Sequence, residues 1–573
     1  MKIKPLLTLA KLNTIFSFLF FILFISNALS QNIPTNFSIL NDYLRREQVI
    51  GNVNRDFSFN VRPINVEFAF KEFESPFLTD STRGYETKLS LPQSRSGKFK
   101  LSALPLQLTT VYNSTLPGGW TNGALIPAKG IQTVASAGVH MKLGKLSIQL
   151  YPQYHYAQNA AFEEYPEDAP ESYFVYLGRS AYDIDNPTRF GTSSISEFSL
   201  GNSHIMMNFD GISFGFSSEN LWSGPGQFNS LVLSDNAPGF YHFRVQTNRP
   251  LKTFLGSFEG NYWIGQLKGS ELTHFSDGAH TALLDGANET SWRYFTGITV
   301  SYSPKWTPGF SLGMTRGFQI YREDMENSFR GFFPIFAPFP KEGEGEIENI
   351  ERREDQNVSI FSRYVIPKAK TEIYFEYSRN DHPLSWRELL LNPEHSRAFL
   401  LGFSKYISLP NSSLLGIQGE MSQTQFSINN IIRWGNGIPN RGRGSYDNYQ
   451  VKHGWTNRGQ ILGANTGISG NLYSLKIGNY TGLKEISAKL ERAEHHPNFY
   501  RYAKSAGLHV KPWIDNTLYI NYSNNFKNLL FKSSLGFTQS LNYNFWSTEN
   551  NIFHSTENKL FNLSLNMSLI YLL

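Results

Sequence analysis

The sequence predicts an all-β protein, a transmembrane antiparallel β-barrel with a short N-terminal helical segment, and three observations carry that reading. The first is two-residue alternation at the C-terminal end: Phe561, Leu563, Leu565, Met567, Leu569, Tyr571 and Leu573 share one face, opposite Asn562, Ser564, Asn566 and Ser568. The second is composition. Of 573 residues, 15% are aromatic and only 17% charged, against about 25% charged in ordinary soluble domains. The third is that no run of about 18 uncharged apolar residues follows Ile25, so a bundle of membrane-crossing helices is excluded.

Taken in order, the chain opens on an address. Lys2, Lys4 and Lys11 precede an apolar core from Ile15 to Ile25, then Ala28, Leu29 and Ser30 give the small-x-small pattern of a cleavage site. Residues 1–30 read as a signal peptide, and the mature chain as beginning at Gln31. Residues 31–100 read as an N-terminal periplasmic or plug segment with one helix, Ser38 to Ile50. There Ser38 can cap, Asp42 lies in the first turn, Ile39, Leu40, Tyr43 and Leu44 share a face, and Gly51 can end it.

From about Leu101 the apolar period is two, so residues 101–573 read as the barrel. Leu146, Ile148 and Leu150 alternate with Ser147 and Gln149; Ile373, Phe375 and Tyr377 alternate with Glu372, Tyr374 and Glu376; Leu518, Ile520 and Tyr522 repeat the pattern. One face suits lipid and the other a wet lumen. In hydrocarbon every backbone polar group needs a partner, and only closure removes the unpaired edges of a sheet. A secreted sandwich or propeller also alternates. Strands running to the last residue, Tyr-rich segments and turns of two unequal kinds favour the barrel. Short turns fall at Pro367 to Lys370 and Asn524 to Asn528, whereas long links fall at 322–355, 378–396 and 428–458, which the pattern places outside the cell.

Several function classes drop out. With no cysteine there are no disulfides, thiolate metal sites or lipid-attachment cysteine. A net charge of +5 does not suggest nucleic acid. No nucleophile elbow, zinc-protease helix, Walker loop or dinucleotide fingerprint occurs, so no catalytic residue and no cofactor is assigned. Glu494, His495, His496 and Pro497 bring an acid and two imidazoles together, but neighbours on a strand point apart, so no metal site is assigned. The acidic run from Gly343 to Glu348 reads as a solvated loop.

The more informative groups are rings mixed with Arg, Asn and Asp in the long links. One link holds Asp381, His382, Trp386, Arg387 and Arg397; another holds Trp434, Tyr446 and Trp455. Sugars present C–H faces that stack on rings, and Arg forks bind the anionic groups of an acidic glycan. The competing account makes the rings an interfacial belt and pairs Arg with Glu inside the barrel.

Longer segments identify a family. WSGPG at Trp222 to Gly226, SLVLSDNAPGF at Ser230 to Phe240 and TNRP at Thr247 to Pro250 resemble the Wzi-type capsule assembly proteins, particularly members from Bacteroidetes. PKWTPGFSLGMTRGFQIY at Pro304 to Tyr321, DQNVSIFSRY at Asp355 to Tyr364, EIYFEYSRNDHPLSWREL at Glu372 to Leu389, PEHSRAFLLGFSK at Pro393 to Lys405 and HGWTNRGQILGA at His453 to Ala464 extend it. The resemblance implies an outer-membrane barrel of roughly 18 strands, an even number. It also implies a lectin-like, non-enzymatic role in assembling or attaching capsular or exopolysaccharide at the cell surface. The expected partners are that polysaccharide, outer-membrane lipid and lipopolysaccharide, and the barrel-insertion machinery. Structural importance carries to Trp222, Gly224, Pro225, Asn236, Pro238 and Gly239, whose Gly and Pro content first explains a fixed turn. Two departures stand out. Enterobacterial members carry a periplasmic helical bundle where residues 31–100 show one clear helix, and the last residue is Leu573 rather than an aromatic. A diffusion channel or transporter, or a barrel hydrolase using His382, His395 and Ser396, are the alternatives.

Overall fold

The computed structural model describes residues 32–53, 57–65, 90–93, 99–118, 123–181, 183–276, 291–337, 353–380, 386–410, 412–427, 444–545 and 558–571. The segment expected to be a signal peptide and the Gly343 to Glu348 run lie outside these residues.

Eighteen antiparallel strands close into one barrel, the last pairing with the first through Ser564↔Asn113 to Tyr571↔Leu106. In chain order they are β1 (Phe99–Gly118), β2 (Ala128–Leu143), β3 (Leu146–Leu150 with Gln153–Ala157), β4 (Ile195–Ser199 with His204–Asn208), β5 (Ile212–Ser217) and β6 (Tyr241–Thr247). Then follow β7 (Gly256–Leu267), β8 (Arg293–Pro304), β9 (Phe310–Tyr321), β10 (Glu354–Ile366), β11 (Thr371–Asn380) and β12 (Arg397–Ser408). The last six are β13 (Leu414–Gln423), β14 (Asn471–Thr481), β15 (Lys484–His495), β16 (Trp513–Phe526), β17 (Leu529–Leu541) and β18 (Lys559–Tyr571).

The alternation of the sequence is the inside and outside of this wall. Phe561, Leu563 and Met567 of β18 are exposed, as are Ile373 and Phe375 of β11, while Glu372, Tyr374 and Glu376 are buried inward. A one-residue slip would turn every apolar side chain into the lumen, which fixes the register. Turns alternate with links: 144–145, 482–483 and 527–528 are two-residue turns at one end, whereas 158–194, 381–396 and 424–470 are long links at the other. The turn expected at Asn524 to Asn528 is tighter than its sequence suggests, because β16 pairs to Phe526 and Lys527 takes the left-handed conformation.

The lumen is filled. At the short-turn end lies α1, Ser38–Ile50, whose Ile39, Leu40, Tyr43 and Leu44 pack with Leu104, Leu530 and Ile570 of the wall. Gly51 ends it at φ 95, its amide donating to the Gln48 carbonyl, as a C-terminal glycine should. Ser38 does not cap it. Its hydroxyl instead accepts from Lys532 Nζ at 2.8 Å, and the Asn41 amide ties down the incoming turn by donating to the Pro34, Thr35 and Phe37 carbonyls. Mid-lumen, the segments 218–240 and 444–470 pack on each other and on Trp263 and Phe295. At the long-link end α2 (Glu171–Ala181) packs on α3 (Pro497–Ser505) through Tyr173, Phe174 and Phe499. Among the described residues, α1 and inward-folded barrel links pack together inside the wall.

Candidate functional site

The plug is fixed by buried charge. Glu372, on β11, receives Arg45 Nε of α1 at 3.0 Å, Arg363 Nε at 2.7 Å and the Ser404 hydroxyl at 2.9 Å. All four groups are buried. Such a pair holds only when each partner is satisfied, and here one carboxylate joins the N-terminal helix to two strands. A second carboxylate, Glu420 of β13, accepts the backbone amides of Gln227 at 2.7 Å and Asn229 at 2.8 Å and the Tyr374 hydroxyl at 2.9 Å. An inward Glu of the wall thus anchors the turn that carries WSGPG.

That motif is packing machinery. Trp222 pairs with Arg62 in a two-residue ladder, and the Arg62 guanidinium lies 4.5 Å over its ring. Gly224 adopts φ 100, and a Cβ there would come within 2.9 Å of the Glu376 carboxylate, so only glycine fits. Pro225 is buried beside it. Arg62 Nη2 donates to the Gly226 carbonyl at 2.7 Å. Asn236 donates to the Ile461 carbonyl at 3.0 Å, and the Pro238 carbonyl accepts from Asn457 at 3.1 Å. At Gly239 a Cβ would meet the Ser218 carbonyl at 2.2 Å. Asp235 accepts from the Thr35 hydroxyl, and burial pushes its carboxyl up to about 6 against that bond and the Arg62 charge.

The described sequence candidates separate into three environments. Tyr446 and Trp455 are 0% exposed: Trp455 Nε1 donates to the Val232 carbonyl at 2.9 Å, its ring meets Phe295 edge-on at 5.4 Å, and the Tyr446 hydroxyl donates to the Leu231 carbonyl at 2.8 Å. Neither ring has a free face for a sugar, because the link expected to lie outside over 428–458 turns into the lumen from Gly444 and packs both rings among Phe240, Trp263 and Phe295. Arg397 lies on the outward face of β12, in phase with exposed Leu401 and Phe403, its guanidinium 4.8 Å over Phe399. Trp386 and Arg387 begin a short helix, Trp386–Leu391, at the long-link end and are exposed, Trp386 to 57%. Asp381, His382 and Trp434 lie outside the described residues. His495 and His496 do diverge: His495 stacks on Trp513 and pairs with Asp515 at 2.8 Å, while His496 bonds the Ser469 hydroxyl at 2.6 Å.

One surface escaped the sequence reading. Segment 322–337 folds back over the outer wall of β8–β10, so outward Arg316 donates to Gln356 at 2.8 Å and to the Ile335 and Ala337 carbonyls at 3.0 and 2.8 Å. Exposed Phe329 and Phe336 stack above it, 6.1 Å apart. An arginine in phase with Leu312 and Met314 was the available signal, since a cation facing lipid needs a cover.

An 18-stranded barrel with a filled lumen, lipid-facing Leu, Ile and Phe outside and loops massed at one end defines an outer-membrane barrel protein. Residues 126–499 match the family described as Capsule assembly protein Wzi, and the chain belongs to that family. Wzi, an outer membrane protein involved in group 1 capsule assembly in Escherichia coli and a carbohydrate-binding β-barrel, is similar in structure, with a TM-score of 0.58 at 13% identity over 94% of this chain and 99% of that one. OccAB2 of Acinetobacter baumannii has a TM-score of 0.37 at 9% identity over 82% of this chain and 97% of its own. OprD of Pseudomonas aeruginosa has a TM-score of 0.34 at 8% identity over 82% and 94%. No curated protein sequence matches the chain.

Proposed function

We propose that this barrel binds capsular or a related surface polysaccharide at its long-link end, helps hold it at the cell surface, and catalyses no reaction. The observation that carries the reading is the filled lumen beneath a loop-rich end that exposes rings and cations. A barrel sealed by α1 and two inward links offers a polymer a surface rather than a passage. Family membership and the carbohydrate-binding E. coli Wzi support the same reading. Trp386 and Arg387 are the contacts we assign among the described residues, with Asp381 and His382 as candidates on the same link and Trp434 on the next. The ring supplies a stacking face and the guanidinium a fork for a carboxylate on the sugar.

The long-link end faces outward in this reading, because short turns face the periplasm in such barrels. Proteolysis of intact cells then reaches Lys341 and spares Lys368. The function is tested by retention of polysaccharide from the source organism on Trp386→Ala/Trp434→Ala cells. Loss of bound polymer with a heat-modifiable barrel on gels supports the site; parental retention moves it elsewhere. The channel alternative predicts steady conductance of the parent protein in planar bilayers, and the plug predicts none.

A further inference from the structure

The outer wall carries a concavity of about 1330 Å³ that runs from Ile373 of β11 across to β18 and Ser114 of β1. Two outward rows, in register across the strands, shape it. The upper row is polar: Tyr473, Arg492, Asn516 and Gln539 are successive partners on β14, β15, β16 and β17. The row beneath is apolar: Leu475, Leu490, Leu518, Phe537 and Leu563 are successive partners from β14 to β18. Gly419, between Phe403 and Leu475 in that row, contributes no side chain, and a Cβ there would come within 2.5 Å of the Phe403 ring. The Phe403 ring lies over Gly419, so the floor there is an aromatic face.

Arg492 is the unusual member. It sits three residues inside the His495 end of β15, about 10 Å down the strand, on the face that meets lipid. A cation there is costly unless an anion or water meets it. Its one polar contact among the described residues is a long 3.5 Å bond to Asn516 Oδ1. Glu420 and Glu491 of the lining are in phase with the lumen, and the outward Glu494, two residues along β15, accepts from Asn471 at 2.8 Å and forms no ion pair with Arg492 among the described residues.

We propose that this concavity holds one phosphorylated, multiply acylated glycolipid of the outer leaflet. Its phosphate lies on Arg492 within the polar row, and its acyl chains lie on the leucine row. The charge pattern selects an anionic head above an apolar body. The apolar row spans five strands, about 19 Å at the usual spacing, which seats several chains abreast and favours a multiply acylated lipid over a two-chain phospholipid. The assignment rests on the outward orientation proposed above, because that orientation puts the polar row at the headgroup level of the glycolipid leaflet.

The test uses the full mature chain in mild detergent, with hexa-acylated bisphosphorylated lipid A or phosphatidylglycerol added and occupancy read by native mass spectrometry. The expected result is one lipid A per chain, a loss of roughly tenfold in occupancy for Arg492→Gln, partial retention for Arg492→Lys, and weaker binding of phosphatidylglycerol. Equal occupancy of the parent and Arg492→Gln, or a preference for phosphatidylglycerol, overturns the proposal. Heat-modifiability on gels checks that each variant is folded, and Leu490→Glu, which charges the floor instead of the rim, provides a second reading should Arg492→Gln not fold. Detergent binding is indifferent to orientation, so failure of the topology reading appears separately, as external cleavage at Lys368.

Discussion

Replacing Glu372 by Ala should unseat the N-terminal plug while leaving the barrel closed. In the parent this carboxylate meets Arg45 and Arg363 and a serine hydroxyl, all buried. The substitution strands two guanidinium groups within the lumen, and breaking a buried pair from one side typically costs about 3–5 kcal/mol. At about 1.4 kcal/mol per tenfold, the undocked population of α1 rises by about two to three and a half orders of magnitude. The wall loses no ladder hydrogen bond, so heat-modifiability persists. Trypsin should then cut at Arg45 or Arg46 in protein whose parent resists, and bilayer recordings should show openings absent from the parent. Replacing all three by methionine should restore resistance, because matched apolar groups remove the stranded charge. If the Ala variant resists trypsin as the parent does and stays electrically silent, the network does not hold the plug.

Trp455→Ala should destabilise the mid-lumen plug by about 3–5 kcal/mol, as for a large buried aromatic, read as faster protease cleavage within 444–470 and no specific loss of glycan beyond it. Gly224→Ala should be worse tolerated than a turn glycine elsewhere, since the left-handed φ and the Glu376 carboxylate both oppose a methyl; lower yield of heat-modifiable protein checks it. Acid should loosen the plug through His453, held down at about 3 by burial and by nearby Arg293. The unfolded ring titrates near 6.5, so the undocked state binds the extra proton below that pH and stability falls as pH drops toward 3. Between pH 7.5 and 4.5 the loss is about 3 kcal/mol. Protease resistance measured across that range should show the fall, and His453→Gln should lessen it, leaving the share of His274 and His496, which burial holds down at about 4.

The wall was legible because its physics is local. Alternation at Ile373 to Tyr377 or Phe561 to Tyr571 follows from lipid on one side and lumen on the other, whatever the partner strand. The α1 span was legible for the same reason, its ends and apolar face lying within 14 residues. Its N-cap was not, since Ser38 is claimed by Lys532, nearly five hundred residues away. The candidate site was half legible. Trp386 and Trp455 look alike in sequence, each a ring near Arg and Asn, yet one is exposed on a short helix and the other is buried against Val232. Which links turn inward depends on carboxylates of distant strands, such as Glu420 capturing Gln227 and Asn229, and no local period encodes that.

The seat of α1 bears on how the cylinder comes together. Its apolar face touches Leu104 on the first strand and Ile570 on the last, the two strands whose pairing closes the ring. Those strands are separated by nearly the whole chain, and such distant pairings form late because loop closure must precede them. A helix already resting on both edges shortens that search. An element made before any barrel strand is in this way also the clasp across the seam made last, and a chain lacking residues 31–65 should insert with its seam unzipped more often than its lumen empty.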